Sequence, residues 1–147
     1  MADNLTKAQR SYCMSRVRNK NTLLETRVRS ALHAQGLRFR KHVAELPGKP
    51  DIVFPTEKIA IFIDGDFWHG WRFPLWQDQV SPFWQEKIQI NRRRDRRNYR
   101  CLRRRGWYVI RVWQHALEAG FDHVIGRIVE RTRKRGIALS ADGNPSS

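Results

Sequence analysis

Cysteine is scarce. Cys13 and Cys101 are the whole supply, too few and too far apart to build by themselves a zinc site, which normally needs four Cys or His ligands at close spacing, and too few for a disulfide framework. Long apolar runs are missing as well: the longest, Ile59–Ile63, falls far short of the roughly 20 residues of a membrane helix. The polar start has no signal-peptide core, so no membrane partner is expected and the setting should be reducing and cytoplasmic. Acids are the third shortage. Fourteen Asp and Glu face 29 Lys and Arg, a net charge of +15, which excludes an ordinary balanced surface and makes a polyanion the default partner.

What is present can fold. Hydrophobic residues at 40%, with six Trp and seven Phe, support a packed interior rather than a basic disordered tail, and 147 residues suit one domain. Thr6 with Gln9 and Thr22 with Glu25 match the reciprocal cap that opens helices, so two helices are expected at the start. The second carries Leu24, Val28, Ala31 and Leu32 on one face and stops at Gly36. Strands are expected over Leu37–Val43, Asp51–Phe54 and Lys58–Asp64, separated by turn chemistry at Pro47–Pro50 and at Pro55-Thr56. The unbroken apolar run within the third suits a central strand covered on both faces.

A loop from Gly65 to Pro82 follows, with Trp68, Trp71, Phe73 and Trp76; connections of that length are commonly functional. A long helix from about Phe83 to Arg105 is closed by Gly106, a strand covers Trp107–Trp113, and a last helix runs from Asp122 to Arg135 and ends at Gly136. This order, without internal repeats, predicts an α/β (α+β) domain over residues 1–139, a central mixed sheet flanked by helices, and a small polar disordered tail at 140–147.

The long helix holds nine Arg in the fourteen positions Arg92–Arg105. Planar guanidinium forks suit phosphate, and like charges at i, i+4 weaken a helix unless an anion lies against them. A phosphate-binding face is therefore favoured over a merely solvated one, and Arg92, Arg93, Arg96 and Arg97 are its candidates. Winding the helix places Trp84, Ile88, Asn91, Asp95, Tyr99 and Leu102 on one inward stripe. Asp95 on that stripe is either an internal salt-bridge partner or part of a site, and the salt bridge is favoured when Asp95 is taken alone.

Asp51 heads one strand, and Asp64 and Asp66 close the next, with His69 just beyond. Carboxylates at neighbouring strand ends suit a hard divalent cation, and a nearby His can take a proton from an attacking water. Ordinary turn chemistry explains Asp64-Gly65-Asp66 equally well. Phe67 and Trp68, next to the acids, and Trp84 nearby are candidates to stack on or wedge between bases.

At these residues the chain resembles the very-short-patch repair (Vsr) endonucleases, bacterial enzymes that nick DNA at T:G mismatches. The resemblance runs from Lys7 to about Gly136 and rests on Met14, Glu25, Leu46–Asp51, Ile61–Gly70, Phe83–Ile88 with Asn91, Arg94–Arg97, and Gly106-Trp107 with Val112-Trp113. It implies a restriction-endonuclease-like fold and a magnesium site at Asp51 and the backbone carbonyl of Ile63, with Asp64 either a metal ligand or an orienting group. His69 would be the general base, and Glu25 and Asp95 would hold metal-bound or phosphate-bound waters. Phe67, Trp68 and Trp84 map onto an aromatic wedge, Met14 onto an insertion from the opposite groove within a DNA-contacting N-terminal helix at 1–20, and Lys87 and Asn91 onto readers of the mismatched bases.

The implied reaction is magnesium-dependent hydrolysis of one strand 5′ to the mismatched thymine. The implied setting is a monomer associated with the nucleoid, acting on double-stranded DNA and handing over to mismatch-repair proteins. Relatives with a structural zinc differ from this chain at Asp66, Trp71, Phe73 and His115, which leaves too few soft ligands, so no zinc is expected. Two other readings stay open: a related nicking or homing endonuclease acting on paired DNA, and a non-catalytic basic nucleic-acid-binding module.

Overall fold

The computed structural model of the chain describes residues 6–142, with side chains described for Thr6, Ala8, Gln9 and residues 22–138. Helix α1 spans Lys7–Ala34 and is opened by the expected reciprocal cap between Thr6 and Gln9. It is one helix, not two. No Gly or Pro interrupts it, so extension at one hydrogen bond per residue outcompetes a second start at Thr22, whose carbonyl instead accepts from the Thr26 hydroxyl (2.9 Å). Met14 lies in α1, but its side chain is outside the described residues.

Four strands follow: β1 (Arg40–Lys41), β2 (Ile52–Phe54), β3 (Ile59–Asp64) and β4 (Tyr108–Trp113). They form one sheet in the order β1-β2-β3-β4, antiparallel except for the parallel β3/β4 pair. The expected strand Leu37–Val43 shrinks to two residues because His42 turns into the left-handed region (φ 50). Between β3 and β4 lie two single-turn 3₁₀ helices, Phe73–Leu75 and Gln77–Gln79, and then α2 (Pro82–Arg104).

Helix α3 (Gln114–Asp142) starts directly after β4, kinks at Gly120, and continues past Gly136. Gly136 costs an interior helical position only ~1 kcal/mol, and Arg135 anchors that turn by donating to the carbonyls of Glu57 (3.0 Å) and Gly106 (2.8 Å). The first three residues of the expected tail at 140–147 are thus helical, and 143–147 lie outside the described residues.

Period-two alternation sorts the sheet's side chains between two faces. Ile52, Phe54, Ile59, Ile61 and Val112 pack with Leu24, Val28 and Leu32 of α1 and with Leu117, Ile125 and Ile128 of α3. Ala60 and Phe62 face the other way, onto Tyr99 and Leu102 of α2. The result is the expected α+β domain of restriction-endonuclease type, a mixed sheet between helices. By the same parity Asp64 follows Phe62 onto the α2 face, and Arg111, paired in register with Phe62, joins it there. Among the described residues no helix is long and apolar enough to cross a membrane.

Candidate active site and nucleic-acid interface

The inward stripe of α2 forms as its periodicity predicts: Trp84, Ile88, Asp95, Tyr99 and Leu102 are buried. That stripe sets Asp95 and Tyr99 against the end of β3. The Tyr99 hydroxyl and Arg111 Nε both donate to Asp64 Oδ2, each at 2.6 Å, and Arg111 Nη2 donates to Asp95 Oδ2 (3.1 Å). Burial, and then the Asp64 carboxylate, push the Tyr99 phenol far above its ordinary range, so it serves only as a donor.

His69 stands between the two acids. Its Nδ1 lies 2.6 Å from Asp95 Oδ2, and its Nε2 lies 3.4 Å from Asp64 Oδ1. An ionised carboxylate only accepts, so the short contact places a proton on Nδ1 and makes Nε2 the nitrogen available for proton transfer. Asp95 is thus engaged with both His69 and Arg111, as the inward salt-bridge reading anticipates, and it also orients the candidate base.

A second cluster adjoins the first. Asp51, just ahead of β2, accepts from the Ile63 N–H at 2.7 Å through Oδ2. Ligand atoms of Glu25, His42 and Asp51 lie within 4.8 Å of one another, as do those of Asp64, His69 and Asp95. Asp51 is pushed up to about 8, first by burial and next by the Glu25 carboxyl beside it, with the Ile63 N–H opposing and the Asp64 charge adding.

Glu25 Oε1 is buried without a hydrogen-bond partner, with His42 Nε2 at 3.6 Å and Arg29 Nη1 at 3.7 Å from the opposite oxygen. An orphaned carboxylate oxygen beside an acid that resists ionisation suits a hard divalent cation, whose charge would reverse both penalties. Asp51 of the second cluster and Asp64, His69 and Asp95 of the first line one cleft of about 720 Å³, together with Ile63, Lys49 and Arg94.

The aromatic loop packs beside this cleft. Phe67 meets Trp68, Trp76 and Trp84 at centroid distances of 5.8, 5.8 and 5.5 Å, and Trp68 meets Trp84 at 5.7 Å. Trp84 is buried at 7% exposure while Phe67 and Trp68 are half-buried. Trp84 is therefore the floor on which the other two rest. Lys87 Nζ sits 5.5 Å over the Trp68 ring, and Asn91 Nδ2 donates to the Trp68 carbonyl at 2.9 Å, so both candidate base readers touch the wedge itself.

Of the four positions at which no zinc ligand set is expected, Asp66, Trp71 and His115 lie together, and Phe73 packs with Trp84 and Ile88. His115 Nδ1 and Asp66 Oδ1 are 2.8 Å apart, Trp71 lies 3.8 Å from the His115 ring, and Phe73 is fully buried.

Sequence reasoning missed two members of the site. Arg111 had a readable signal, one charge inside the apolar strand Tyr108–Trp113. His42 had none, because it reaches Glu25 only through the fold.

A family model described as DNA mismatch endonuclease Vsr matches residues 2–74. "Type II nicking enzyme V.XorIIP" of Xanthomonas oryzae pv. oryzae is 47% identical over 133 residues, 85% of this chain and 98% of that protein. "DNA mismatch endonuclease Vsr" of Escherichia coli K12 is 42% identical over 119 residues, 80% of this chain and 76% of that protein. "Type II nicking enzyme V.NmeDIP" of Neisseria meningitidis serogroup C is 39% identical over 116 residues, 77% and 78% of the two chains. With Asp51, Asp64, His69 and Asp95 lining one cleft beside an Arg-bearing helix, these matches make the chain a member of the Vsr family of DNA endonucleases.

Proposed function

We propose that the protein is a magnesium-dependent endonuclease that nicks one DNA strand 5′ to the thymine of a T:G mismatch. The observation that carries this reading is one cleft lined by Asp51 and the His69–Asp95 pair, with Glu25 clustered on Asp51 and the Phe67–Trp68 rings immediately preceding His69 in the chain. Asp51, the Ile63 carbonyl and Glu25 would hold the cation. Extended backbone places a residue's N–H and C=O on the same strand edge, so the edge that gives the Ile63 N–H to Asp51 also presents its carbonyl there. When bound, the cation supplies Lewis-acid stabilisation of the charge that builds on the phosphate.

The chain's own groups do the rest. His69 Nε2 accepts the proton of the attacking water while Asp95 keeps the other proton on Nδ1. Arg111 and Tyr99 occupy Asp64 Oδ2, so Asp64 acts by holding Arg111 against Asp95 rather than by binding metal. Phe67 and Trp68 enter the base stack. A wobble pair is cheaper to unstack than a matched one, so a ring wedge costing a few kcal/mol per step favours the mismatch. The Asp66–His115 contact under Trp71 and the buried Phe73 tie the loop down, and we read this tie as standing without zinc.

The test is nicking of duplexes carrying one central T:G pair in a panel of sequence contexts, against matched duplexes, with magnesium and with EDTA. Strand-specific nicking confined to T:G duplexes with magnesium is expected. Equal cutting of matched DNA, or tight binding without nicking, refutes the assignment.

A further inference from the structure

His69 lines two spaces, the carboxylate cleft and a smaller cavity of about 150 Å³. The walls of the smaller one are Arg72, Arg92, Arg96 and Arg111, with Trp71 and Trp113. That volume equals about five waters at the liquid share of each, comparable to the five heavy atoms of a phosphate group. Arg111 is already taken by Asp64 and Asp95. Among the described residues, Arg72, Arg92 and Arg96 have no carboxylate within ion-pair distance.

Two of the uncompensated cations, Arg72 and Arg92, are held in place, as is Arg111 beside them. Arg72 stacks 4.6 Å over the Trp71 ring, Arg92 lies 5.7 Å from the Phe73 centroid, and Arg111 lies 4.1 Å from the Trp113 centroid. Arg72 also adopts a left-handed φ of 52, a conformation that non-glycine residues rarely take and that recurs at ligand-binding sites. Gly70, at φ 66, admits the Arg92 stem: a Cβ there would stand 2.8 Å from Arg92 Cδ and 2.7 Å from Ile88 Cγ2. The gathered charge already strains the group, since partial burial and then Arg96 and Arg111 hold the Arg92 guanidinium below its ordinary value. Forks fixed before binding lose little entropy when an anion arrives.

We propose that Arg72, Arg92 and Arg96 form a seat for a backbone phosphate of the bound strand, a neighbour of the phosphate hydrolysed, on the far wall of His69 from the carboxylate cleft. The seat rests on DNA being the substrate and not on which base pair is recognised. It would fix the register of the strand, so that the phosphate in the cleft stands within reach of His69 Nε2.

Binding without divalent metal tests it on both T:G and matched duplexes. A single neutral methylphosphonate is walked along the nicked strand, with wild type compared with Arg92→Gln and Arg96→Gln, each checked for folding by its melting curve. One substitution near the nick site should weaken wild-type binding about tenfold, as loss of a charge-assisted contact does. Each variant should bind natural DNA about tenfold more weakly, with a salt slope reduced by about one, and should lose its sensitivity at that one position only. Inorganic phosphate at millimolar concentration should compete less well against either variant than against wild type.

A penalty at that position that persists in full in both variants overturns the seat, even if T:G nicking is seen. Coupled loss in a protein that nicks no T:G duplex keeps the seat and refutes only the mismatch reading. Should Arg92→Gln fail to fold, the exposed Arg96 decides.

Discussion

Asn in place of Asp51 should make the metal-free protein more stable while abolishing nicking. Asp51 is held at about 8 in the fold against 3.8 for a free side chain. Its folded value is raised, so the native state holds the proton more tightly than the unfolded chain, and stability from this group is lost as pH climbs from about 4 to about 8. The gap sets a ceiling of ~6 kcal/mol on the cost of ionising Asp51 in the fold. Water entering the cleft lowers the effective penalty for a buried charge to ~2 to 3 kcal/mol.

Asn keeps an oxygen for the Ile63 N–H and carries no charge against Glu25. At pH 8.5 in EDTA, Asp51→Asn should therefore melt roughly 5–10 °C above wild type, at the few degrees per kcal/mol expected of a chain this size. The difference should shrink as pH falls toward 4. Magnesium should raise the wild-type midpoint and leave the variant unmoved. Paired melting curves across pH, with and without magnesium, read all three effects. An Asp51→Asn protein no more stable than wild type at pH 8.5, or an advantage that does not shrink on acidification, refutes the account of Asp51 as an acid kept for a cation.

Arg111→Met leaves two buried carboxylates without their shared cation and should cost ~2 to 3 kcal/mol, with single-turnover nicking slowed at least tenfold and DNA affinity little changed; Arg111→Lys should recover stability more than rate, because one ammonium cannot fork to both acids. Asp95→Asn releases the His69 tautomer and should slow nicking by roughly a hundredfold or more, with normal binding in gel-shift assays. Phe67→Ala and Trp68→Ala should each lower T:G affinity by ~1 to 3 kcal/mol with small effects on melting. Trp84→Ala should do the reverse and destabilise the fold by ~3 to 5 kcal/mol, as its 7% exposure requires.

The parts of this fold that could be read from sequence are those set by a local period. The α2 stripe from Trp84 to Leu102 appears as drawn because 3.6-residue winding needs no tertiary information. The apolar run Ile59–Ile63 lies centrally in the sheet for the same reason. Local signals failed where a competing term, local or tertiary, was stronger. Thr22 offers a cap, but an uninterrupted helix makes the stop costlier than the continuation, and Gly136 offers an end that the hydrogen bonds of Arg135 override. Arg111 was one step away: once β3 and β4 are paired in parallel, strand parity alone puts it beside Asp64. No such rule reaches His42, whose place by Glu25 depends on how the segment after β1 turns at a left-handed residue.

Charge balance inside the site identifies where a cation belongs. Asp64 is neutralised by Arg111 and hydrogen-bonded by Tyr99, and Asp95 is neutralised by Arg111 with His69 alongside. Glu25 has Arg29 and His42 within 4 Å, although one of its oxygens still lacks a hydrogen bond. Asp51 alone of these acids has no cation at ion-pair distance among the described residues, and it is the one held near 8. In a chain of net charge +15, a half-buried acid without a cation at ion-pair distance among the described residues suits a bound divalent cation. The arginines sit elsewhere: Arg92 and Arg96 of α2, with Arg72 of the loop before it, share the small cavity that His69 also lines and have no carboxylate at ion-pair distance among the described residues. A cation at Asp51 and a phosphate among the arginines would cancel both imbalances at once, and a metal-bound phosphodiester strand brings the two together in a single binding event.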